Sequence, residues 1–426
     1  MIERALELAR KRAQGAEASL VTSRSTQAEY EDDRLKHVQV SQSTRLNVRV
    51  IVGGKLGNAH TTDPEQMEEI VDRAVQLAEF GSDAEFDFPG PAEFPGVNTY
   101  DPAVPKISKE DLVAAGAEML DLLKNYNEEI KVFGGASWYA EDRRLVNSSG
   151  LEVTDQASFH GIGAGGVLVR GTDVLFVYQS RDWRRPILPP ADLAGKAIGD
   201  FRLAERTASL KSKAMPVIFT PRGNYLLLWA LLMGVNGKNV LKGDSPLAGR
   251  LGEKLAPESF SLVDDATIDY APASSRCDGE GVARRKTSMI HDGRLECFLY
   301  DLETGGKAGV ATTGNGPGCD SSNVIIPPGE VSFADMIASI PEGLLVEHVM
   351  GLGQGNLMNG DFSVNVSLGY KIENGEIVGR VKDAMLAGNI YDALHRIDAV
   401  GSEPDWAHAF CTPPIKIDDL SVVTKG

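Results

Sequence analysis

Histidine and cysteine, the residue types that most often hold a metal or act as nucleophiles, are few and scattered in this chain. No two of the seven histidines are spaced to share one helix face, and no HExxH motif occurs. A catalytic zinc needs three protein ligands and an open position, so ligands could meet only through the fold. We therefore predict no metal-binding residue. The histidines are His37, His60, His160, His291, His348, His395 and His408.

The four cysteines, Cys277, Cys297, Cys319 and Cys411, show no CxxC spacing, which favours reduced thiols. Cys319 lies in the glycine-rich stretch 315–322 and is the best candidate nucleophile. However, no neighbouring residue in the sequence offers it a base or a lowered pKa, and no GxSxG elbow occurs. We interpret Cys319 as an ordinary loop thiol and predict no catalytic residue in the chain.

Two glycine-containing stretches have a partial likeness to nucleotide-binding motifs. Gly161-Ile-Gly163-Ala-Gly-Gly166 matches GxGxxG, but Val167–Arg170 follows as a strand pattern, whereas a dinucleotide site needs a helix there. Glycines that let strands bend or pack closely are the favoured interpretation. Gly306-Lys307 lacks the upstream glycine of a P-loop. We predict no cofactor-binding residue.

The formal net charge of −17 argues against binding to a phosphate backbone, which requires clustered lysine and arginine. The basic clusters are short, at 181–185 and 284–286. Trp183 lies beside three arginines and could stack on a base, but a solvated or interface cluster is the favoured interpretation.

The element that must organise any site is an uninterrupted apolar stretch of nine residues, Tyr225–Met233. Its leucine, alanine and methionine content and its lack of β-branched residues predict a helix, within about 222–234. Because it shows no polar face, we expect it to be buried all round, with Leu228 and Trp229 in the core. It is far too short to span a bilayer, which needs about 20 apolar residues.

Periodicity around this helix predicts an α+β fold with two domains. Residues 1–210 combine strands, such as Ala18–Thr22, Ala28–Glu31 and Leu46–Val52, with helices that start near Asp63 and Ser108. Residues 211–426 predict an antiparallel, β-rich domain enclosing the apolar helix, with hairpin turns at 292–293 and 373–375. The chain opens on a charged helix rather than a signal peptide, so we expect a cytoplasmic protein.

Several stretches, in order, resemble the TldD/PmbA family, once called modulators of DNA gyrase. Each motif is weak alone, but their order runs through nearly the whole chain. They are Leu145–Leu151, Leu262–Thr267, Asp278–Gly281, Leu299–Thr304, Ala311–Gly316, Tyr370–Gly375 and Pro413–Val422.

The resemblance implies a cytoplasmic peptidase of two homologous subunits. The TldD subunit carries an HExxxH helix with zinc-binding histidines, a glutamate base and a further cysteine ligand near the C-terminus. The substrate is an unfolded peptide that lies extended in a cleft and pairs with a strand edge. The second subunit, PmbA or TldE, has a similar fold without the motif.

This chain resembles the second subunit. Leu228, Trp229 and Met233 stand near the metal-ligand region of the corresponding helix, and these side chains cannot hold zinc. Cys411 is close to the position of the C-terminal ligand, but the Thr412-Pro413-Pro414 stretch follows it without the longer loop of the TldD subunit. The ligand role therefore does not carry over.

These observations predict a non-catalytic PmbA/TldE-like subunit of a zinc peptidase, with the metal in a TldD-type partner. Alone, the chain is expected to form a homodimer through its C-terminal domain, whose strand edges need covering. Two alternatives stay open at this point: an independent hydrolase with an unrecognised site, and a binding protein that acts on gyrase or nucleic acid.

Overall fold

The computed structural model describes residues 1–187 and 189–424, apart from the side chain of Gln354. Residue 188 of the predicted N-terminal domain and residues 425–426 of the predicted C-terminal domain lie outside the described residues. The α+β class is confirmed, because helices and strands alternate irregularly and most strand pairs are antiparallel. No described helix is both long and apolar enough to cross a bilayer.

The N-terminal half is a sheet with the strand order β3-β2-β1-β4-β5-β6. Its helices and strands are α1 (Ile2–Arg10), β1 (Gly15–Glu31), β2 (Arg34–Val52), β3 (Lys55–Thr61), α2 (Met67–Leu77), α3 (Lys109–Tyr126), β4 (Lys131–Asn147), β5 (Glu152–Arg170), β6 (Asp173–Trp183) and α4 (Pro190–Ala204). Among the described residues, β6 pairs with β5 alone, so β6 forms an edge of this sheet.

Local capping confirms the predicted helix starts of this half. The Asp63 carboxylate accepts a hydrogen bond from the backbone of Glu65 just before α2, and Ser108 forms a capping box with Asp111 at α3. The strand prediction was incomplete at β1, which is one continuous strand rather than two. Its polar middle is strand because it pairs with β2 on one side and β4 on the other.

The C-terminal half contains two sheets. One has the order β11-β10-β9-β12-β19-β18, and the other runs β13-β8-β20-β16-β14-β15-β7 and closes into a ring where β13 pairs with β14. The helices and strands are β7 (Thr207–Ala208), β8 (Lys213–Phe219), α5 (Tyr225–Val235), α6 (Gly237–Lys242), β9 (Leu262–Asp265), β10 (Lys286–His291), β11 (Arg294–Leu295), α7 (Leu302–Ala308), β12 (Val324–Ile325), α8 (Phe333–Ala338), β13 (Glu342–Met350), β14 (Asp361–Glu373), β15 (Glu376–Val381), β16 (Ala384–Asn389), α9 (Ile390–Leu394), β17 (Ile397–Val400), β18 (Asp405–Ala407), β19 (Phe410–Thr412) and β20 (Ile415–Thr424).

Helix α5 shares a hydrophobic core with strands of both C-terminal sheets, but it is not buried all round. Leu226, Leu228 and Leu231 are fully buried in the same core as strands β8, β14 and β20. Trp229 is 42% exposed, so its predicted place in the core is wrong. An entirely apolar stretch gives no polar face, and its surface side is therefore set by tertiary packing alone.

A second core joins the two halves of the chain. Residues of α3 and α4 pack together with Ile218, Leu345 and Tyr370, which belong to the C-terminal strands. Tyr370 also donates a hydrogen bond from its hydroxyl to the backbone oxygen of Asp200 in α4 at 3.2 Å. This shared core holds the edge strand β6 and helix α4 beside the C-terminal half.

Candidate functional site

A cavity of about 600 Å³ lies between the edge strand β6 and a segment that we name the strap, residues 403–414. Its other walls come from α4, from the turn before α5 and from β13. Aromatic side chains line it, together with several charged groups. This volume and this mixture of apolar and polar lining are typical of a binding site for a small molecule or for part of a peptide. The aromatic residues are Tyr178, Tyr225, Phe333, Trp406 and Phe410.

The charged floor of the cavity is centred on Arg222, in the turn that leads into α5. Its guanidinium donates to Asp200 at 2.9 Å, to Glu347 at 2.8 Å and to the backbone oxygen of Tyr178 at 2.9 Å. Burial raises the pKa of Glu347, although Arg222 opposes that shift. One cation thus faces two carboxylates, and the three side chains join β13, α4 and the start of α5.

Two histidines of the cavity have opposite electrostatic surroundings. Burial lowers the pKa of His348 to about 4, and the nearby Arg222 acts in the same direction. His348 is therefore neutral at pH 7. A hydrogen bond with Asp182 raises the pKa of His408 above its usual range. His408 Nδ1 lies 2.9 Å from the Asp182 carboxylate, while the rest of its side chain is exposed.

The strap is held against β6 by side chains from both sides. Asp405 accepts hydrogen bonds from Arg181 at 2.8 Å and from Lys196 at 2.9 Å. Trp406 packs edge-on against Trp183, with ring centroids 5.1 Å apart. With the His408–Asp182 pair, these contacts close one side of the cavity.

A second depression of about 550 Å³, the glycine groove, continues from the cavity across the N-terminal sheet. Tyr178, Ser180 and His408 line both spaces. The groove depends on Gly163, because a Cβ there would lie 2.0 Å from the Tyr178 hydroxyl. The Tyr178 ring stacks on Phe133 with centroids 5.6 Å apart. The GxGxxG stretch is therefore a strand surface, as predicted, since it lies within β5.

The edge of β6 that faces the cavity directs some backbone groups away from β5. The Tyr178 carbonyl accepts from Arg222, so it points away from β5. Alternate residues of a strand point their backbone groups to the same side, so the N–H and C=O of Ser180 point outward too. An edge with outward donors and acceptors can receive an extended peptide.

The helix expected to replace a zinc-binding helix does not offer ligands. Leu228 is fully buried, Trp229 is exposed and Met233 is partly buried. Cys411 lies in β19, where burial raises the pKa of its thiol to about 11 and disfavours the thiolate that binds zinc. Across residues 1–187 and 189–424, no three His, Cys, Asp or Glu side chains come together as a possible metal site. The residues present do not fit a zinc ion.

Cys319, the candidate nucleophile of the sequence analysis, is enclosed in the C-terminal core and is only 1% exposed. Its Sγ lies 3.1 Å from the Thr304 hydroxyl. Burial raises the pKa of its thiol, so the unreactive protonated form is favoured. The structure supports a structural thiol at this position.

Several stretches that carry the family resemblance meet around one loop rather than around the cavity. Asp264 accepts from Asn315, Asp278 accepts from the backbone of Gly316, and Asp301 accepts from the backbone of Gly318. Asn236, which follows α5, donates in turn to the Gly318 carbonyl at 3.0 Å. These aspartates therefore fix a loop that supports the end of α5.

The basic cluster 181–185 takes part in contacts within the chain. Arg184 donates to the backbone oxygen of Ala271 at 3.0 Å, and Arg185 lies over the Tyr270 ring at 5.7 Å. Arg181 pairs with the strap, and Trp183 packs on Trp406. Each of the three arginines of this cluster is therefore engaged by another part of the chain.

The residues of the cavity were not predicted from the sequence, because they come from six separate stretches of the chain: 178–181, 193–200, 220–225, 333, 347–349 and 403–414. Two local signals were present. Arg222 is a lone charge directly before an apolar helix, and Glu347-His348 is a polar pair within an apolar strand. Both are unusual in buried elements, where charges need partners.

Comparison with known proteins gives consistent matches. Residues 212–424 match the family model of the PmbA/TldA metallopeptidase C-terminal domain, and residues 16–78 match the model of domain 1 of the same family. A metalloprotease PmbA homolog of Haemophilus influenzae is 25% identical over 98% of this chain and 94% of its own length. A metalloprotease TldD homolog of the same organism is 31% identical over 49% of this chain and 48% of its own length.

A solved structure has the same fold over the whole chain. The crystal structure of TldE from Thermococcus kodakarensis superimposes with a TM-score of 0.89 and covers 99% of both chains, at 24% sequence identity. This similarity of fold also includes residues 79–211, which neither family model covers.

Proposed function

Because the chain belongs to the PmbA/TldD metallopeptidase family, we propose that it is a non-catalytic, PmbA/TldE-like subunit of a zinc peptidase. A TldD-type partner would supply the zinc and the catalytic glutamate, and this chain would supply part of the wall that holds an unfolded peptide. The observation that carries the proposal is helix α5, which presents Leu228, Trp229 and Met233 where the family resemblance places the metal-ligand region.

The chemistry of these three side chains supports a subunit without a metal of its own. Zinc binds imidazole, thiolate and carboxylate groups, and neither leucine nor tryptophan has such a donor. The thioether of methionine is a soft ligand that suits copper(I) better than zinc. The lack of a three-ligand cluster within residues 1–187 and 189–424 supports the same conclusion.

The β6 edge, the cavity and the glycine groove support a role in holding an extended peptide. Main-chain pairing with Ser180 would fix the direction of the peptide without selecting a sequence. The aromatic walls around Tyr178 and Trp406 would take up its side chains. Such a site would admit an extended chain rather than a folded domain.

We place the assembly in the cytoplasm and assign two associations to this chain. In the cell it would pair with a TldD-type subunit through its C-terminal half, and alone it would form a homodimer. The existence of relatives named for both PmbA and TldD supports a family with two kinds of subunit. An edge strand such as β18 could pair with a strand of another subunit.

The test is to purify this chain, a TldD-type subunit from the same source, and their complex. Zinc is measured by elemental analysis after mild chelation, and cleavage is measured with a labelled unstructured peptide. For this chain alone we expect no stoichiometric zinc and no cleavage. For the complex we expect bound zinc and cleavage of the peptide. Replacing the partner's HExxxH glutamate by glutamine should abolish cleavage, whereas Cys319→Ala and Cys411→Ala in this chain should preserve it.

Three results would overturn the proposal. They are about one zinc per chain in the isolated protein, cleavage that persists with the inactive partner, and loss of cleavage on either cysteine change in a chain that stays folded. The second and third would place chemistry in this subunit and favour an independent hydrolase.

A further inference from the structure

A buried ionic triad links the N-terminal sheet to the C-terminal half at a distance from the cavity. Glu17 on β1 lies directly opposite Arg49 on β2. Arg49 donates from Nη1 to Glu17 Oε1 at 3.3 Å and from Nη2 to Glu280 Oε1 at 2.8 Å. Glu17, Arg49 and Glu280 are 2%, 9% and 1% exposed, so water contributes little to their charge balance.

The triad has one cation for two carboxylates, and one oxygen lacks a partner. Glu17 Oε2 is sealed from solvent and accepts no hydrogen bond within the described part of the chain. Glu280 Oε2, in contrast, accepts from the backbone of Leu302 at 2.8 Å. The Arg49 guanidinium also lies over the rings of Phe86 and Phe88, at 5.8 and 5.4 Å, which further excludes water. Glu17 is thus the less well satisfied carboxylate.

We propose that Glu17, Arg49 and Glu280 form a proton-dependent lock that fastens the N-terminal sheet to the 278–281 loop. When Glu17 holds a proton, the triad is neutral. When Glu17 loses the proton to solvent, an uncompensated negative charge remains in a contact that excludes water. The N-terminal sheet and the 278–281 loop then separate more easily. Burying an ionised group beyond what its partners neutralise is costly, whereas a neutral carboxyl is tolerated.

The charged groups around the triad act on Glu17 in both directions. Arg143 on β4 faces the same contact and donates to the backbone oxygens of Asp278 and Gly279, both at 2.9 Å. It favours ionisation of Glu17, as Arg49 does, while Glu280 opposes it. Asp278 and Asp301 lie next to Glu280 and oppose its ionisation.

Desolvation outweighs the arginines at Glu17 and raises its pKa to about 7. A carboxyl whose pKa is higher in the folded than in the unfolded chain stabilises the fold below its unfolded pKa. That stability is lost as the pH rises from 4.5, the ordinary pKa of a glutamate, to about 7. The corresponding change in the folding equilibrium constant is on the order of 100-fold.

The experiment compares the full chain with Glu17→Gln, which keeps the shape of the side chain and removes its titration. Glu7→Gln is the matched control, because Glu7 is a glutamate with a 65% exposed side chain. Hydrogen exchange is followed between pH 5 and pH 8, with intrinsic exchange rates corrected. In the parent protein and in Glu7→Gln, the backbone amides of residues 278–284 and of the facing part of β1 should become less protected from exchange as the pH rises. In Glu17→Gln the protection should stay constant.

A measurement on the unmodified protein keeps the inference testable if Glu17→Gln does not fold. Infrared difference spectra between pH 6 and pH 8 should show that the band of a protonated, buried carboxyl disappears as the pH rises. The Glu7→Gln variant should show the same change as the parent protein. No such band at pH 6, or the same pH dependence of protection in Glu17→Gln and the parent, would overturn the lock. Neither result depends on a partner subunit or on peptidase activity.

Discussion

Asn224 ties the start of the apolar helix to the strap by donating from its side-chain amide to Thr412 Oγ1 at 2.9 Å. The same amide donates to the Pro413 carbonyl at 2.8 Å. Asn224 and Thr412 are both fully buried. Because Phe410 also packs on Tyr225, with centroids 5.9 Å apart, the position of the strap over the cavity follows from the position of α5. The helix that lacks metal ligands therefore still shapes the neighbouring cavity.

Replacing Asn224 by alanine should therefore loosen the strap as well as destabilise the fold. The change removes two buried hydrogen bonds and leaves acceptors on Thr412 and Pro413 unpaired, at a cost of about 2–4 kcal/mol. Urea unfolding measures the loss. Asn58→Ala serves as the control, because the Asn58 side chain of β3 is exposed, with an expected change below about 0.5 kcal/mol. Equal unfolding midpoints for the two variants would contradict this role.

Two neighbouring residues of α5 should respond differently to truncation. Leu228→Ala leaves a cavity in the core and should cost about 2–5 kcal/mol. Trp229→Ala removes a 42% exposed ring whose described aromatic contact is Tyr225, at 5.2 Å between centroids, so the cost should be about 1–2 kcal/mol. Denaturant midpoints of both variants decide the order. A larger loss for Trp229→Ala would mean that the indole is buried after all, for example by a second chain.

The fold was largely predictable where the sequence carries a periodic or capping signal. Hydrophobic periodicity predicted the α+β class. Capping residues predicted the helix starts at Asp63 and Ser108, and the Asp-Gly turn predicted the hairpin at Asp292. The exposure of Trp229 could not be predicted, because a stretch of apolar residues alone has no polar side to mark its surface. The polar middle of β1 was missed since its strand conformation depends on pairing with two distant strands.

The two cavity histidines should titrate in opposite directions in the folded protein. We expect a pKa of about 4 for His348, because burial penalises its charged form, and a pKa above 6.5 for His408, because Asp182 favours the charged form. The unfolded pKa of both is near 6.5. The contribution of His348 to stability is therefore lost as the pH falls below 6.5, and that of His408 is lost as the pH rises through its folded value.

NMR titration of the ring protons checks both values, and Asp182→Asn is the informative variant. It should lower the pKa of His408 and leave that of His348 nearly unchanged. The effect of the His408–Asp182 pair on stability should be below about 1 kcal/mol, because the imidazole is largely exposed. A normal pKa for His348 would show that water reaches its ring.

The candidate site was less predictable than the fold, for a reason that Arg222 illustrates. Its partners Asp200 and Glu347 are 22 and 125 residues away, and nothing local shows that one guanidinium joins them. The prediction that α5 offers no zinc ligands, in contrast, depends only on residue types within one helix. Residue chemistry is local information, whereas a cavity is produced by the packing of distant elements.

The backbone of Ser180 faces the cavity from the edge of β6. Proline at this position removes an outward N–H without removing a bond to β5, so the sheet should persist. Binding of an unstructured labelled peptide to the complex with an inactive partner should weaken about 5- to 10-fold, which corresponds to the loss of roughly one main-chain hydrogen bond. Val174→Pro is the matched control, because Val174 has the same outward register on β6 but lies outside the residues that line the cavity. Fluorescence anisotropy measures both variants. If Ser180→Pro binds the peptide as tightly as Val174→Pro does, the β6 edge does not pair with the peptide, and the cavity would have to hold it through side chains alone.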